Sequence, residues 1–421
     1  MIARATPDLL SAEDACPAGR VCFVLLGEDA PARLWPNAWR RLLMDLHAVG
    51  ASVTVAVLSA RGRHPSTAEV AAASGAETAR VVQVPRPPVP SSKGIFAGAE
   101  TAAYHLYEWL RGQAFDVVHL PPAGGVGLFC LNAKRQGLAF ADTLFCQRAG
   151  PSAVMRRLAE LRPVDRVDLL ALDHMERRCL ETADLTVAAA PALLAALSDH
   201  GTRLDGTRTR VQADPPLCAP QAAVPTGAPE ALLVLGPLGH AGGLPAIAAA
   251  LSRLARVGGA LPRRVIFAGP RCEGLDVRTF LTEKGADWPF SWEIAADPRP
   301  DDVLAYLREP AVLPVFPGPG PEVPAWLPEA LALSRPLLLR ADAGGIEALE
   351  PDDAAPCACD PRPEPMARTL GRALAASPAA PRPADRAPAE AWRRLHAAPS
   401  TATVADAANG DATRHPLVTV C

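Results

Sequence analysis

The sequence predicts an α/β protein: two Rossmann-like, doubly wound domains in tandem with a cleft between them. Three observations carry this. Short, wholly apolar runs such as VCFVLL at 21–26 and ALLVL at 231–235 have the character of strands buried on both faces of a parallel sheet. Those runs alternate with longer segments of helical periodicity. The alternation lapses once, in a Pro-, Thr- and Gly-rich stretch, and then starts again.

In the first series, the strand at 21–26 is followed by a helix over 37–49 that stops at Gly50, and by the β-branched strand SVTVAVL at 52–58. A helix near 67–74, a strand at 79–84, a Pro-rich loop through 90 and a helix at 99–111 come next. Strands at 116–120, 143–147 and 185–188 then interleave with helices at 127–136, 165–182 and 191–200. This defines a first Rossmann-like domain over 1–204 and a linker over 205–229. The second series spans 230–380, with strands at 231–235, 264–268, 292–294, 312–316 and 336–339. Its helices are expected at 244–257, 275–284, 300–308, 328–334 and 364–376. A Pro/Ala-rich tail over 381–421 holds one amphipathic piece, APAEAWRRLH at 387–396. It is followed by a spacer at 404–414 and by PLVTVC, which reads as an opening strand with no domain behind it.

Composition narrows the function. Hydrophobic residues at 49% and aromatics at only 5% call for a large, aliphatic core. A net charge of −3 offers no basic surface to nucleic acid or to an anionic membrane. No uncharged run reaches the ~18–20 residues of a membrane span, and the N-terminus lacks the basic-then-apolar order of a signal peptide. The ten cysteines form no C-x-x-C pair, and C-A-C at 357–359 is too tight for a zinc ribbon. The expectation is a cytoplasmic protein with reduced core cysteines and no metal.

Several segments resemble a known family. They are FDVVHLPPAGGVG at 115–127, RQGLAFADTLF at 135–145, and the helix and strand at 172–197. In the second domain, LLVLGPLGHAGGL at 232–244 is similar to that family's donor-phosphate loop, and the stretch 312–349 to its nucleotide-sugar signature. The family is the large retaining GT-B-fold group of glycosyltransferases (group 1, family four type). Members of the subgroup that 135–145 and 172–197 resemble are often fused to an inverting GT-A-type enzyme, whose first strand the closing PLVTVC resembles.

The resemblance implies metal-independent transfer of a sugar from a nucleotide-diphosphate sugar to a glycan or other hydroxyl acceptor. The nucleotide sugar is the substrate and no cofactor is called for. It also implies an Arg and a Lys on the second glycine loop, an acidic pair eight apart, and a first-domain His. Here Pro237 and Gly242 stand at the two cation positions and Ala149 at the His. Glu322 and Glu329 are seven apart, and eight residues before Glu329 stands Pro321.

The donor-side candidates are therefore Glu329, Glu322, Gly344, Gly345, Gly242, Gly243, His240 and Arg271, with Arg148 on the acceptor side. Each also has a plainer reading. Glu329 complements a helix dipole as well as it would bind a ribose. The glycines make tight turns whether or not a phosphate approaches. Glu322 sits in a loop, and His119 closes an apolar strand. His174, between Asp173 and Glu176, has the pattern of a solvated face. Two functions follow: a transferase with an altered donor site using Arg148, Arg271 or His240, or a non-catalytic module that docks a partner glycosyltransferase or a glycan. A nucleotide-sugar epimerase would need acidic catalytic groups not identifiable here, and no strand is followed by the G-x-G-x-x-G of a dinucleotide site.

Overall fold

A computed structural model describes residues 19–27, 37–58, 79–85, 98–221, 227–376, 378–384 and 388–397. The first sheet contains β1 (Arg20–Leu26), β2 (Ser52–Leu58), β3 (Arg80–Gln83), β4 (Val117–Leu120), β5 (Leu144–Arg148), β6 (Leu185–Ala188) and β7 (Thr209–Val211), in the order β3-β2-β1-β4-β5-β6-β7. The second contains β8 (Ala231–Leu235), β9 (Arg264–Gly269), β10 (Ser291–Ala296), β11 (Val312–Phe316), β12 (Leu338–Arg340) and β13 (Ala358–Cys359), in the order β10-β9-β8-β11-β12-β13. Every pairing between neighbouring strands is parallel. In both sheets the order reverses beside the first strand, which opens a crevice at the carboxyl ends.

The apolar runs form these strands because both faces are covered. Along β8, Leu232 and Val234 pack with Ile247 and Leu251 of the helix Leu244–Val257 and with Met366 and Leu370 of the helix Pro363–Ala375. The alternate residues Leu233 and Leu235 pack on the opposite side with Val303, Leu307, Leu327 and Leu331. The period-2 side-chain alternation thus splits one five-residue run between two helical layers.

The described segments differ from the sequence expectation at β13, which was not expected, and at the following places. The stretch expected as linker contributes β7, an edge strand whose TRV sequence has no apolar pattern. Helices Ala153–Ala159 and Pro351–Cys357 arise where none was expected. Ser152 starts the first of these: its Oγ accepts the Met155 N–H at 3.4 Å, an N-cap. The tail piece forms the helix Pro388–Ala397 and returns to the first domain, where Trp392 is 2% exposed among Phe23, Trp39 and Leu42. The helix expected near 67–74, the spacer at 404–414 and the run 416–421 lie outside the described residues.

Candidate active site

The cleft is built from the loops that follow the strands. β5 delivers Arg148 at its carboxyl end, and the chain beyond β7 delivers Asp214. Arg148 Nη2 donates to Asp214 Oδ2. The pair is nearly closed off, with side-chain exposures of 12% and 16%. Arg148 Nη1 and Asp214 Oδ1 are buried without hydrogen-bond partners. Burial opposes the Arg148 charge, but the Asp214 carboxylate outweighs it, by charge and by hydrogen bond, with help from Glu322. The guanidinium is therefore held even more firmly protonated than usual.

Glu322, on the loop after β11, faces this pair from the second domain. Its Oε1 lies 3.7 Å from the place a Cβ on Gly150 would take. The side chain keeps solvent access, yet protein crowds it from both domains. That desolvation pushes its carboxyl up. Arg156 and Arg148 pull it down, Asp214 adds to the rise, and the net direction is up.

Arg156, one turn into the helix Ala153–Ala159, donates to Glu176 Oε1 at 2.7 Å and to the Pro151 carbonyl. Glu176 also accepts from the N–H groups of Gly124, at 2.8 Å, and Ala153, at 2.6 Å. Asp173 accepts from Ser152 Oγ, from Val154 N–H at 3.2 Å and from Arg177 Nε at 3.0 Å, and contacts His200 Nε2 at 3.2 Å. Burial pushes the Asp173 carboxyl up, and these hydrogen bonds outweigh it, so the net direction is down. The expected solvated face is thus corrected: His174 is exposed, but Asp173 and Glu176 are buried and tie the first glycine loop to its neighbouring helix.

The other expected site residues fall into three groups. Gly344 and Gly345 begin a tight 3-10 turn, Gly344–Ala348, pressed on the loop that carries Glu322. A Cβ on Gly344 would stand 2.0 Å from the Pro321 carbonyl oxygen, and its N–H donates to Gly320 O at 3.0 Å. Gly242 and Gly243 close the second glycine loop on itself and on its neighbour. Their Cβ atoms would stand 1.8 Å from Pro237 O and 2.1 Å from Pro317 O.

Gly243 also sits at φ +72°, in the left-handed region. Gly243→Ala is therefore expected to cost about 2 kcal/mol or more, from left-handed strain plus the clash with an immobile carbonyl. Urea denaturation of variant and parent would measure it. A loss below about 0.5 kcal/mol would mean that the loop repositions freely.

The third group points elsewhere. Glu329 is 0% exposed, and its Oε1 accepts from the Leu217 N–H at 3.4 Å, so it faces the chain that joins the domains. Arg271 is 71% exposed and lies 3.5 Å from Asp297. His240 enters through its backbone: its N–H donates to Glu160 Oε2 at 3.1 Å, and the Ala241 N–H to Glu160 Oε1 at 3.3 Å.

Across the cleft, Glu347 Oε2 accepts the N–H of Ala192, in the first turn of the helix Pro191–Asp199. Glu347 lines two cavities. One, of about 770 Å³, is walled by Asp214, Val323, Leu327 and the tail at Pro383. The other, of about 440 Å³, is walled by Met155, Pro321 and Gly344. Sequence reasoning missed Asp214, Arg156 and Glu160, and read Glu176 as part of a solvated helix face. The first three lie where no helix or strand was expected, and only the Ser152 capping position hinted at the helix that holds Arg156.

No protein-family model matches the chain, and no curated protein matches it. Solved structures do. Sucrose-phosphate synthase from Thermosynechococcus elongatus is 15% identical, with 92% of this chain and 94% of that one covered and a TM-score of 0.59. The lipopolysaccharide outer core galactosyltransferase WaaB, in its apo form, is 12% identical, with 85% and 90% covered and a TM-score of 0.56. The Anabaena protein HepE, solved with UDP and glucose, is 11% identical, with 93% and 98% covered and a TM-score of 0.55. The fold of this chain is the two-domain GT-B fold, two Rossmann-like parallel sheets in tandem.

Proposed function

We propose that this chain is a nucleotide-sugar-dependent glycosyltransferase that moves a sugar from a nucleotide-diphosphate donor to a hydroxyl of a glycan or other acceptor. The observation that carries it is the cleft. The carboxyl ends of the two sheets bring Arg148, Arg156 and the raised carboxyl of Glu322 together beside the turn at Gly344 and Gly345.

In the reaction, the bond between the anomeric carbon and the diphosphate oxygen breaks. The acceptor oxygen takes that carbon, and the hydroxyl proton passes to the leaving diphosphate. The transfer is retaining and uses protein cations and amides in the place of a metal ion. Arg156 and Arg148 supply positive charge on the first-domain side, where the second glycine loop has none. Glu322 hydrogen-bonds the donor sugar. The protein acts in the cytoplasm, with a neighbouring or fused glycosyltransferase as its natural partner. No helix among the described residues is long and apolar enough to cross a membrane.

Calorimetric titration with a panel of nucleoside diphosphates and their sugars tests this, followed by an assay for diphosphate release with hydroxyl acceptors. Micromolar binding by one nucleotide is expected, with turnover that falls ~10–100-fold in Glu322→Gln. A folded protein that binds no member of the panel would overturn it.

A second reading is favoured by one observation. The chain's own carboxylates fill amides of both glycine loops, Glu176 at Gly124 and Glu160 at His240 and Ala241. On that reading the chain is a GT-B module without turnover, which docks a partner transferase or a glycan.

A further inference from the structure

At the seam between the domains, one carboxylate sits in a place where such loops offer N–H groups to anions. Glu160 follows the helix Ala153–Ala159 in the first domain and reaches into the loop before the helix Leu244–Val257 in the second. The amides of Gly236, Leu238, Gly239, Gly243 and Leu244 donate to carbonyls inside the second domain. Those of His240 and Ala241 donate one to each oxygen of Glu160. A Cβ on Gly239 would stand 2.6 Å from Glu160 Oε2 and 2.7 Å from the Cβ of Cys272, so a larger residue would unseat the carboxylate. Two residues on, Arg162 Nη1 lies 2.6 Å from Glu273 Oε2, a second bridge across the same seam. Between them Leu161 adopts φ +54°, a left-handed conformation costly for a side chain that is 73% exposed and gains no burial in return. Two oxygens on successive backbone amides ahead of a helix is the way such loops hold a phosphate.

We propose that Glu160 is an autoinhibitory latch. Its carboxylate occupies the amides that a nucleoside diphosphate would take, and the donor reaches the loop only after residues 160–162 leave it and the domains part. The inference rests on the nucleotide-sugar reading above and adds its regulation. Competition from within the chain is strong because the carboxylate is held at high effective concentration. Pro237 and Gly242, which carry no charge, give a diphosphate no electrostatic advantage over it.

The test titrates the full chain, Glu160→Ala, Glu160→Gln and Arg162→Ala with inorganic pyrophosphate and with nucleoside diphosphates. Hydrogen exchange of the peptide containing 236–244 is followed in parallel, and thermal melts establish that each variant is folded. The expected result is about tenfold tighter anion binding by Glu160→Ala, faster exchange at the loop, and a smaller effect from Glu160→Gln, which keeps one acceptor oxygen. Equal binding by parent and Glu160→Ala overturns the latch and leaves the donor reading standing. No binding by either protein, with faster exchange at the loop, overturns the donor reading and the inhibition with it. If Arg162→Ala, which loosens the seam but leaves the amides filled, tightens binding as much as Glu160→Ala, parting of the domains explains the effect and occupation of the amides does not.

Discussion

Replacing Arg148 by alanine is expected to lower the stability of the first domain by about 3–5 kcal/mol, the cost of leaving one half of a buried ion pair behind. Asp214 would keep its charge in a pocket where only 16% of its side chain meets solvent, with Oδ1 already lacking a partner. Moderate desolvation alone would cost less, since exposed pairs contribute ~0–1 kcal/mol. The nearly complete enclosure of both groups puts this pair in the costly class. The double replacement Arg148→Met with Asp214→Leu removes both charges and fills the space, so most of the loss should return. Urea denaturation of the two variants measures this. A single-variant loss under about 1 kcal/mol would show that water reaches Asp214 and that the pair is a surface contact. The same substitution also removes a cation that holds the Glu322 carboxyl down, so that group's titration should move further up.

Much of the scaffold was legible because buried parallel strands leave a loud signal. Val53, Val55 and Val57 in β2, or Leu232, Leu233 and Val234 in β8, belong to uninterrupted β-branched or aliphatic runs that no helix face needs. β7 left no such signal, because a three-residue edge strand with exposed Arg210 and Val211 is defined by its backbone pairing to β6. The docking of the tail was equally silent. An amphipathic pattern announces that Trp392 wants burial, but not that it is buried against β1 and the helix Asn37–Ala48.

In the cleft, the glycine turns and Glu322 could be picked out by their resemblance to a signature. Glu329 could be placed at a helix start, yet not the direction it faces, which depends on the path of the chain at Leu217. The partners of Arg148 and of the second glycine loop lie 66 and 80 residues away along the chain, separations that a single sequence does not encode.

Acid is expected to loosen the tail helix before the sheets yield. His119 on β4 is stacked on Phe23 at 4.5 Å, and its Nε2 lies 2.7 Å from His396 Nε2 on the helix Pro388–Ala397. His396 Nδ1 lies 2.6 Å from the Trp392 carbonyl, which can only accept, so Nδ1 carries the proton. His396 Nε2 is then the acceptor, and His119 Nε2 donates to it. Protonating His396 would set two donors against each other. Burial depresses both rings: His396 to about 4, and His119 well below its ordinary value, where His396 and Arg148 add repulsion.

A histidine with a depressed folded pKa stabilises the fold fully above its unfolded value of ~6.5. That contribution is lost as pH falls toward the folded value, because the unfolded chain binds the proton first. For His396 the window runs from ~6.5 down to about 4 and is on the order of 3 kcal/mol. Thermal midpoints of the full chain should therefore fall steeply between pH 6.5 and 4.5. His396→Gln should be less stable at pH 7.5 and fall less steeply across the same interval, because its neutral amide has no proton to gain while the buried His119 still does. Parallel slopes for the two proteins would show that this pair does not couple the tail to the first sheet. A chain ending at residue 384 should then match the variant's slope, since the Trp392 indole N–H, which donates to Ala213 O at 3.0 Å, anchors the same helix beside Asp214 and the cleft.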